Sequence, residues 1–174
     1  VKYIDFSIMD KWIISKLNVF ARDCSSSLEQ FRSDIMMRKF DLFLDDLSNW
    51  YIRRSRRRFW KSEDDLDKQT AYQVLYECLT TIIKLISPVL PFVTEEIYQN
   101  LVKNINSDEH ESIHLCDYPS SDLKKIDIEL MNNIDSLRRV VELGRSARNK
   151  AKIKIRQPLS ELHFHVTDKK VANF

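Results

Sequence analysis

The chain reads as a mainly α protein: an antiparallel helical bundle of four or five helices, followed by a short α+β tail. Three observations predict this. Apolar residues recur at helical spacing along most of the chain. One glycine, Gly144, and four prolines occur in 174 residues, too few glycines for the tight turns of a sheet protein this size. Strict alternation of apolar and polar residues sets in only near the C-terminus. The expected division is a helical domain over residues 1–150 and the start of a junction segment, as short strands, over 151–174.

Residues 8–24 place Ile13, Leu17, Phe20 and Ala21 on one face, an amphipathic helix. Ser25, Ser26 and Ser27 mark a slackening, with a new helix near Ser33. Residues 34–58 carry a stripe of Met36, Phe40, Phe43, Leu44, Leu47 and Tyr51. Ser62-Glu63-Asp64-Asp65 resembles a capping box and puts acid in a first turn, where the helix dipole favours it. Ala71, Leu75, Cys78, Leu79, Ile82, Ile83 and Ile86 continue that helix. Pro88 and Pro91 interrupt it, and Thr94 to Leu101 reads as a further short helix. Residues 104–121 are polar and form a long connection. A last helix is expected from about Asp122 to Lys150, with Ile126, Leu130, Ile134, Leu137, Val141 and Gly144 inward. Residues 152–156 and 161–166 alternate as strands do.

Composition narrows the function classes. Charged residues make up 31% and apolar residues 43%, as in a soluble globular protein. No apolar run approaches the roughly 20 residues of a membrane span. The start, VKYIDFSIMDKW, does not read as a signal peptide, and the chain reads as one cut from something longer. Cys24, Cys78 and Cys116 are far apart and read as reduced thiols of a cytoplasmic protein. One glycine cannot supply a phosphate loop or a dinucleotide turn. His163 and His165 share a strand face, but two ligands without a third are a weak metal site. Adjacent carboxylates such as Glu95-Glu96 diverge on a helix and make a poor acid/base pair. No catalytic residue and no cofactor or metal site is assigned.

Net charge is +2, yet two segments are purely basic: residues 50–61 and 144–158 each carry six positive and no negative side chains. The first lies within NWYIRRSRRRFW, residues 49–60, with five arginines and two tryptophans. At 100° per residue, Trp50, Arg53, Arg57 and Trp60 share a face displaced from the core, with Asn49 beside it. Arg54 falls in line with the core stripe and is expected to be a structural arginine. Arg56 and Arg58 are expected nearer the phosphates of a ligand. Arginine forks suit phosphates and base edges, and indole offers a platform for an unstacked base. Together they point to a single-stranded RNA loop. The bland alternative is a positive helix end neutralised by Glu63, Asp64, Asp65 and Asp67. In the second basic segment, Arg145 and Arg148 lie a turn apart, and Lys152, Lys154 and Arg156 line one strand face. That suits a phosphate-tracking surface.

These residues also carry a resemblance. The blocks DKWIISKLN (10–18), DDLSNWYIRRSRRRFW (45–60), DKQTAYQVLYECL (67–79), SPVLPFVTEEIYQNL (87–101), ESIHLCDYP (111–119) and VVELGRSARNKAKIKIRQPLSEL (140–162) resemble the C-terminal anticodon-binding region of the isoleucyl-tRNA synthetases, class I aminoacyl-tRNA synthetases. The resemblance implies a helical bundle that grips the anticodon arm of isoleucine tRNA. It implies a parent enzyme that attaches isoleucine using ATP and Mg2+, together with other synthetase domains. It implies that Trp12 and Lys16, and Trp60, lie where the anticodon docks. The family's HIGH and KMSKS signatures are absent, so the fragment is expected to be inactive alone. The family often carries a zinc-binding tail, and no zinc is expected here. Where the family usually has Trp before Pro119, this chain has Tyr118, expected to affect packing more than function. A monomer with no membrane association is expected. The rival is a helical protein-interaction module using the Arg/Trp face as a hot spot for an acidic partner.

Overall fold

The computed structural model describes residues 6–61 and 65–165. The described residues are mainly helical: α1 (Ile8–Glu29), α2 (Ser33–Asp45), a π-helical segment (Asp46–Ile52), α3 (Arg53–Lys61), α4 (Asp65–Ile86), α5 (Pro91–Tyr98), a second π-helical segment (Gln99–Lys103), short 3-10 turns at Ile113–Leu115 and Leu123–Lys125, and α6 (Ile128–Lys150). By its contacts the chain divides into two units, residues 1–126 and 127–174.

In the first unit, α1 packs on α2 and α4, and α3 packs on α4. The predicted stripe of α1 is buried: Ile13, Leu17, Phe20 and Ala21, with Trp12 fully enclosed. Facing it are Met36, Phe43, Leu47, Tyr51 and Phe59, and from α4 Ala71, Val74, Cys78, Ile82 and Leu85. The Phe20 and Phe43 rings stack at 5.3 Å. Each such side chain contributes roughly 1.5–3 kcal/mol by leaving water. The cysteines fit this packing: Cys24 and Cys78 are buried free thiols, and burial pushes the Cys24 thiol up to about 12.

α1 does not slacken at its three serines. It runs on to Glu29, because Ser25 and Ser27 donate their hydroxyls to the carbonyls of Ala21 and Asp23, at 3.2 and 2.7 Å. Such bonds keep serine within a helix. The helix ends instead at Phe31, whose φ is 56°. Phe31 N–H donates to Leu28 O and Arg32 N–H to Ser27 O, the Schellman pattern that usually has glycine at the left-handed position.

Residues 33–61 form one long helix, since the backbone stays helical through Asp45, Asp46 and Arg53. Ser62, Glu63 and Asp64, expected to cap the next helix, lie outside the described residues. At the other end of α4, Pro88 and Pro91 divide it from α5, with Pro91 in the first turn, where a missing N–H costs nothing. The connection after α5 is irregular as expected, but closely held. Glu95 accepts from the Ser112 hydroxyl and Ile113 N–H at 2.8 and 2.9 Å. Tyr98 donates to His110 O at 3.0 Å, and Tyr118 to Leu85 O at 3.0 Å. Ser121 and the Asp122 N–H close onto Asn18.

In the second unit, the Asp127 carboxylate caps α6 by accepting from Leu130 N–H at 2.8 Å. The helix therefore starts at Ile128 rather than Asp122; Asp122 caps the preceding 3-10 turn. The expected strands at 152–156 and 161–166 are not seen over the described residues 151–165, which form turns, bends and irregular chain. Arg148 accounts for part of this. Its guanidinium donates to Lys154 O at 3.0 Å and twice to Gln157 O at 2.8 Å, holding the tail in a turn closed by Gln157 N–H to Lys154 O.

Candidate nucleic-acid interface

The arginine run is divided by helix phase. Buried positions recur every four residues at Phe43, Leu47, Tyr51, Ser55 and Phe59. An ideal α-helix has 3.6 residues per turn, so this stripe would drift around it. The wide i→i+5 turns of Asp46–Ile52 absorb the drift. The result slides the inward position by about one residue: Arg54 is exposed and Arg58 turns in. This corrects the expected roles, in which Arg54 was structural and Arg58 faced a ligand.

Arg58 satisfies its whole fork inside the protein. Its Nη1 and Nη2 donate to the two Asp10 oxygens, each at 2.9 Å. Nε donates to Asp67 Oδ1 at 2.8 Å, and Nη1 also reaches Ser7 Oγ at 3.2 Å. Asp10 is fully buried and also accepts from Tyr51 OH at 2.6 Å and from the Ser7 N–H and hydroxyl. Burial by itself would raise the Asp10 pKa; the hydrogen bonds from Arg58, Tyr51 and Ser7 outweigh it and hold the carboxyl below its ordinary range. Burial and the Asp10 hydrogen bond push the Tyr51 phenol up, so it remains a donor. The first turns of α1 and α4 thereby meet the last turns of α3, with acids at the positive helix ends and the cation near the negative one.

The remaining arginines face water. Arg53, Arg54, Arg56 and Arg57 are exposed, and with Trp60 they line a shallow open groove of about 750 Å³. Two of them stack on indoles one turn away: Arg54 lies 5.2 Å from the Trp50 ring centroid and Arg56 5.3 Å from that of Trp60. Each stack is worth roughly 0.5–1 kcal/mol at an exposed site and leaves the edge N–H donors of the guanidinium available. Trp60 is 67% exposed. Among the described residues none of these four guanidinium groups is in an ion pair, and Asp67 pairs with Arg58 instead. Four cations within five positions repel one another, which an anionic ligand would relieve.

The other expected site residues are placed differently. Trp12 has no exposed surface. Lys16 Nζ lies 3.6 Å from Asp46 and 5.8 Å from the Trp12 ring. Asn49 is exposed and donates to Asp45 at 2.6 Å. In the second unit Arg145, Lys152 and Lys154 are exposed, while Arg148 clamps the tail. Beside them Val141, Gly144, Ile153, Ile155 and Leu162 line an apolar groove of about 670 Å³. His163 contacts Glu161 at 2.8 Å, and no group of three metal-ligating side chains forms among the described residues. Among those residues, too, no helix is long and apolar enough to cross a membrane.

Residues 10–163 match the family described as the anticodon-binding domain of tRNA ligase. Similar curated proteins include the isoleucine–tRNA ligase of Clostridium novyi, 48% identical over 165 residues, 93% of this chain and 16% of that protein. The isoleucine–tRNA ligase of Dehalococcoides mccartyi strain 195 is 47% identical over 92% of this chain and 16% of its own length. That of Chlamydia caviae is 41% identical over 92% and 15%. The chain thus spans about one sixth of the length of these relatives.

Proposed function

The chain belongs to the family of anticodon-binding domains of tRNA ligases, and on that premise we propose that it binds the anticodon arm of isoleucine tRNA. The observation that carries this reading is the Arg/Trp groove: four guanidinium groups without ion pairs among the described residues, two of them stacked on indoles. Phosphates take the guanidinium edges, and unpaired bases take the face of Trp60. Arg145, Lys152 and Lys154 of the second unit add phosphate contacts. Trp12 and Arg58 drop out of the contact set and support it from within.

The parent protein attaches isoleucine to that tRNA using ATP and Mg2+ in parts outside these residues. The contribution of this region is remote binding energy, which aligns the acceptor end with a distant active site. By itself it has no catalytic task, and ATP–pyrophosphate exchange by residues 1–174 is expected to be absent. The test is a titration with transcribed isoleucine tRNA. Arg57→Ala is expected to weaken binding and to lower the salt slope by roughly 0.7–0.9, one phosphate contact. Trp60→Ala is expected to cost about 1–3 kcal/mol with the slope unchanged. Wild-type affinity in both variants would overturn the reading.

A further inference from the structure

The groove lies on α3, but its aromatic surface continues onto α4. Tyr72 and Tyr76 are 50% and 42% exposed and lie four residues apart, so they share one helix face. Phe59, itself buried, links Tyr72 to the groove. Its ring stands edge-on to Trp60 (6.5 Å between centroids, 76° between planes) and to Tyr72 (5.1 Å, 73°). The Tyr72 hydroxyl donates to the Phe59 carbonyl at 3.4 Å, which fixes the ring against the end of α3. The chemistry of this stretch is unusual for a solvated helix face. Between Asp67 and Glu77 there is no acid and one base, Lys68, while Gln69, Tyr72, Gln73 and Tyr76 supply rings and amides. Charged residues usually dominate such a face.

We propose that Tyr72 and Tyr76 extend the platform begun at Trp60, so that unpaired nucleotides of one RNA strand stack across the end of α3 and along α4. The proposal rests on the RNA-binding reading above and adds residues to it. The occupant is single-stranded rather than duplex RNA, because a duplex keeps its base faces stacked inside and shows only phosphates, sugars and groove edges. Exposed rings suit any exposed base face. Arg53, Arg56 and Arg57 hold the strand's phosphates alongside.

The test compares the binding of the 174-residue chain to transcribed isoleucine tRNA and to a plain RNA duplex of similar length. Tyr72→Ala and Tyr76→Ala are each expected to weaken tRNA binding about 5- to 150-fold. Both should leave duplex binding and the salt slope unchanged, and Tyr72→Phe should bind within about twofold of wild type. Helix content by circular dichroism confirms that each variant is folded; Tyr76→Ala, on the outer face, tests the platform should Tyr72→Ala disturb the α3–α4 contact. Wild-type tRNA affinity in both alanine variants while Arg57→Ala is weakened would overturn the platform and leave the RNA reading standing. Wild-type affinity in Arg57→Ala and Trp60→Ala as well would overturn both. Equal losses on tRNA and duplex would also overturn the platform, since stacking cannot act on a closed duplex.

Discussion

One guanidinium shows how a run of like residues is given different work. Arg58 stands in the same basic stretch as Arg57, yet it is held by Asp10, Asp67 and Ser7 while Arg57 is exposed. Removing one partner of a buried pair leaves the other charge unpaired, at a cost of roughly 3–5 kcal/mol. Arg58→Ala and Asp10→Ala are therefore expected to destabilise the chain by about that much in urea unfolding, whereas Arg57→Ala should stay within about 0.5 kcal/mol. Protonation makes the same point. Asp10 has a folded pKa below its ordinary 3.8, so its contribution is fully present above that value and is lost as pH falls through the folded pKa. Asp10→Asn is expected to flatten this acid-side loss, measured as unfolding free energy against pH. An unchanged acid limb would show that other carboxylates carry it. The density of arginine and tryptophan was legible in the sequence, and so was the exposure of Arg53, Arg57 and Trp60. Which arginine turned inward was missed, because a fixed 100° per residue ignores the π segment, and the carboxylate that receives Arg58 lies 48 residues away. Trp12, placed at the docking site by the resemblance alone, is fully buried; an indole suits either a core or a base.

At the scale of elements, the α1 stripe was readable because its apolar spacing matches the α-helical period. Over 33–61 the same method found Met36, Phe43, Leu47 and Tyr51 but misplaced the arginines beyond them, because a fixed 100° per residue fails once a π-helical segment intervenes. The signal was present: Phe43, Leu47 and Tyr51 lie four apart and Phe59 eight further on, with Ser55 between, a longer repeat than an α-helix supports. A deletion series tests this. Removing the exposed Ser48 takes the extra residue out of the π segment and leaves α3 facing as before, so the chain should stay folded. Removing the exposed Arg38 from regular α2 turns everything after it by about 100° and should cost several kcal/mol in thermal unfolding. Equal effects would mean that the π segment does not absorb the phase. The end of α1 makes a second test. Phe31 is 95% exposed at a φ of 56°, so its ring contributes little while its backbone is strained. Phe31→Gly should raise stability by about 1 kcal/mol. The three serines misled because their hydroxyls can end a helix or bond within it. The alternating tail misled because alternation needs a neighbouring strand to become a sheet, and here Arg148 folds the segment into a turn.

Across the whole molecule, charge is nearly balanced but unevenly placed: six cations without an anion at 50–61 and again at 144–158, in a chain of net charge +2. Such polarity steers a polyanion without making the surface sticky everywhere. The fold brings the acids at 10 and 67 inward onto Arg58 and leaves the other arginines outward, so core chemistry and surface chemistry are complementary uses of one stretch. The central claim, that this surface reads an anticodon arm, is tested most directly by titrating the chain with isoleucine tRNA and with the same tRNA carrying a changed central anticodon base, at two salt concentrations. Tighter binding to the unchanged tRNA is expected, weakened by salt for both, with the preference reduced by Trp60→Ala. Equal binding to both, with the same salt dependence, would contradict it, because the surface would then hold phosphates alone.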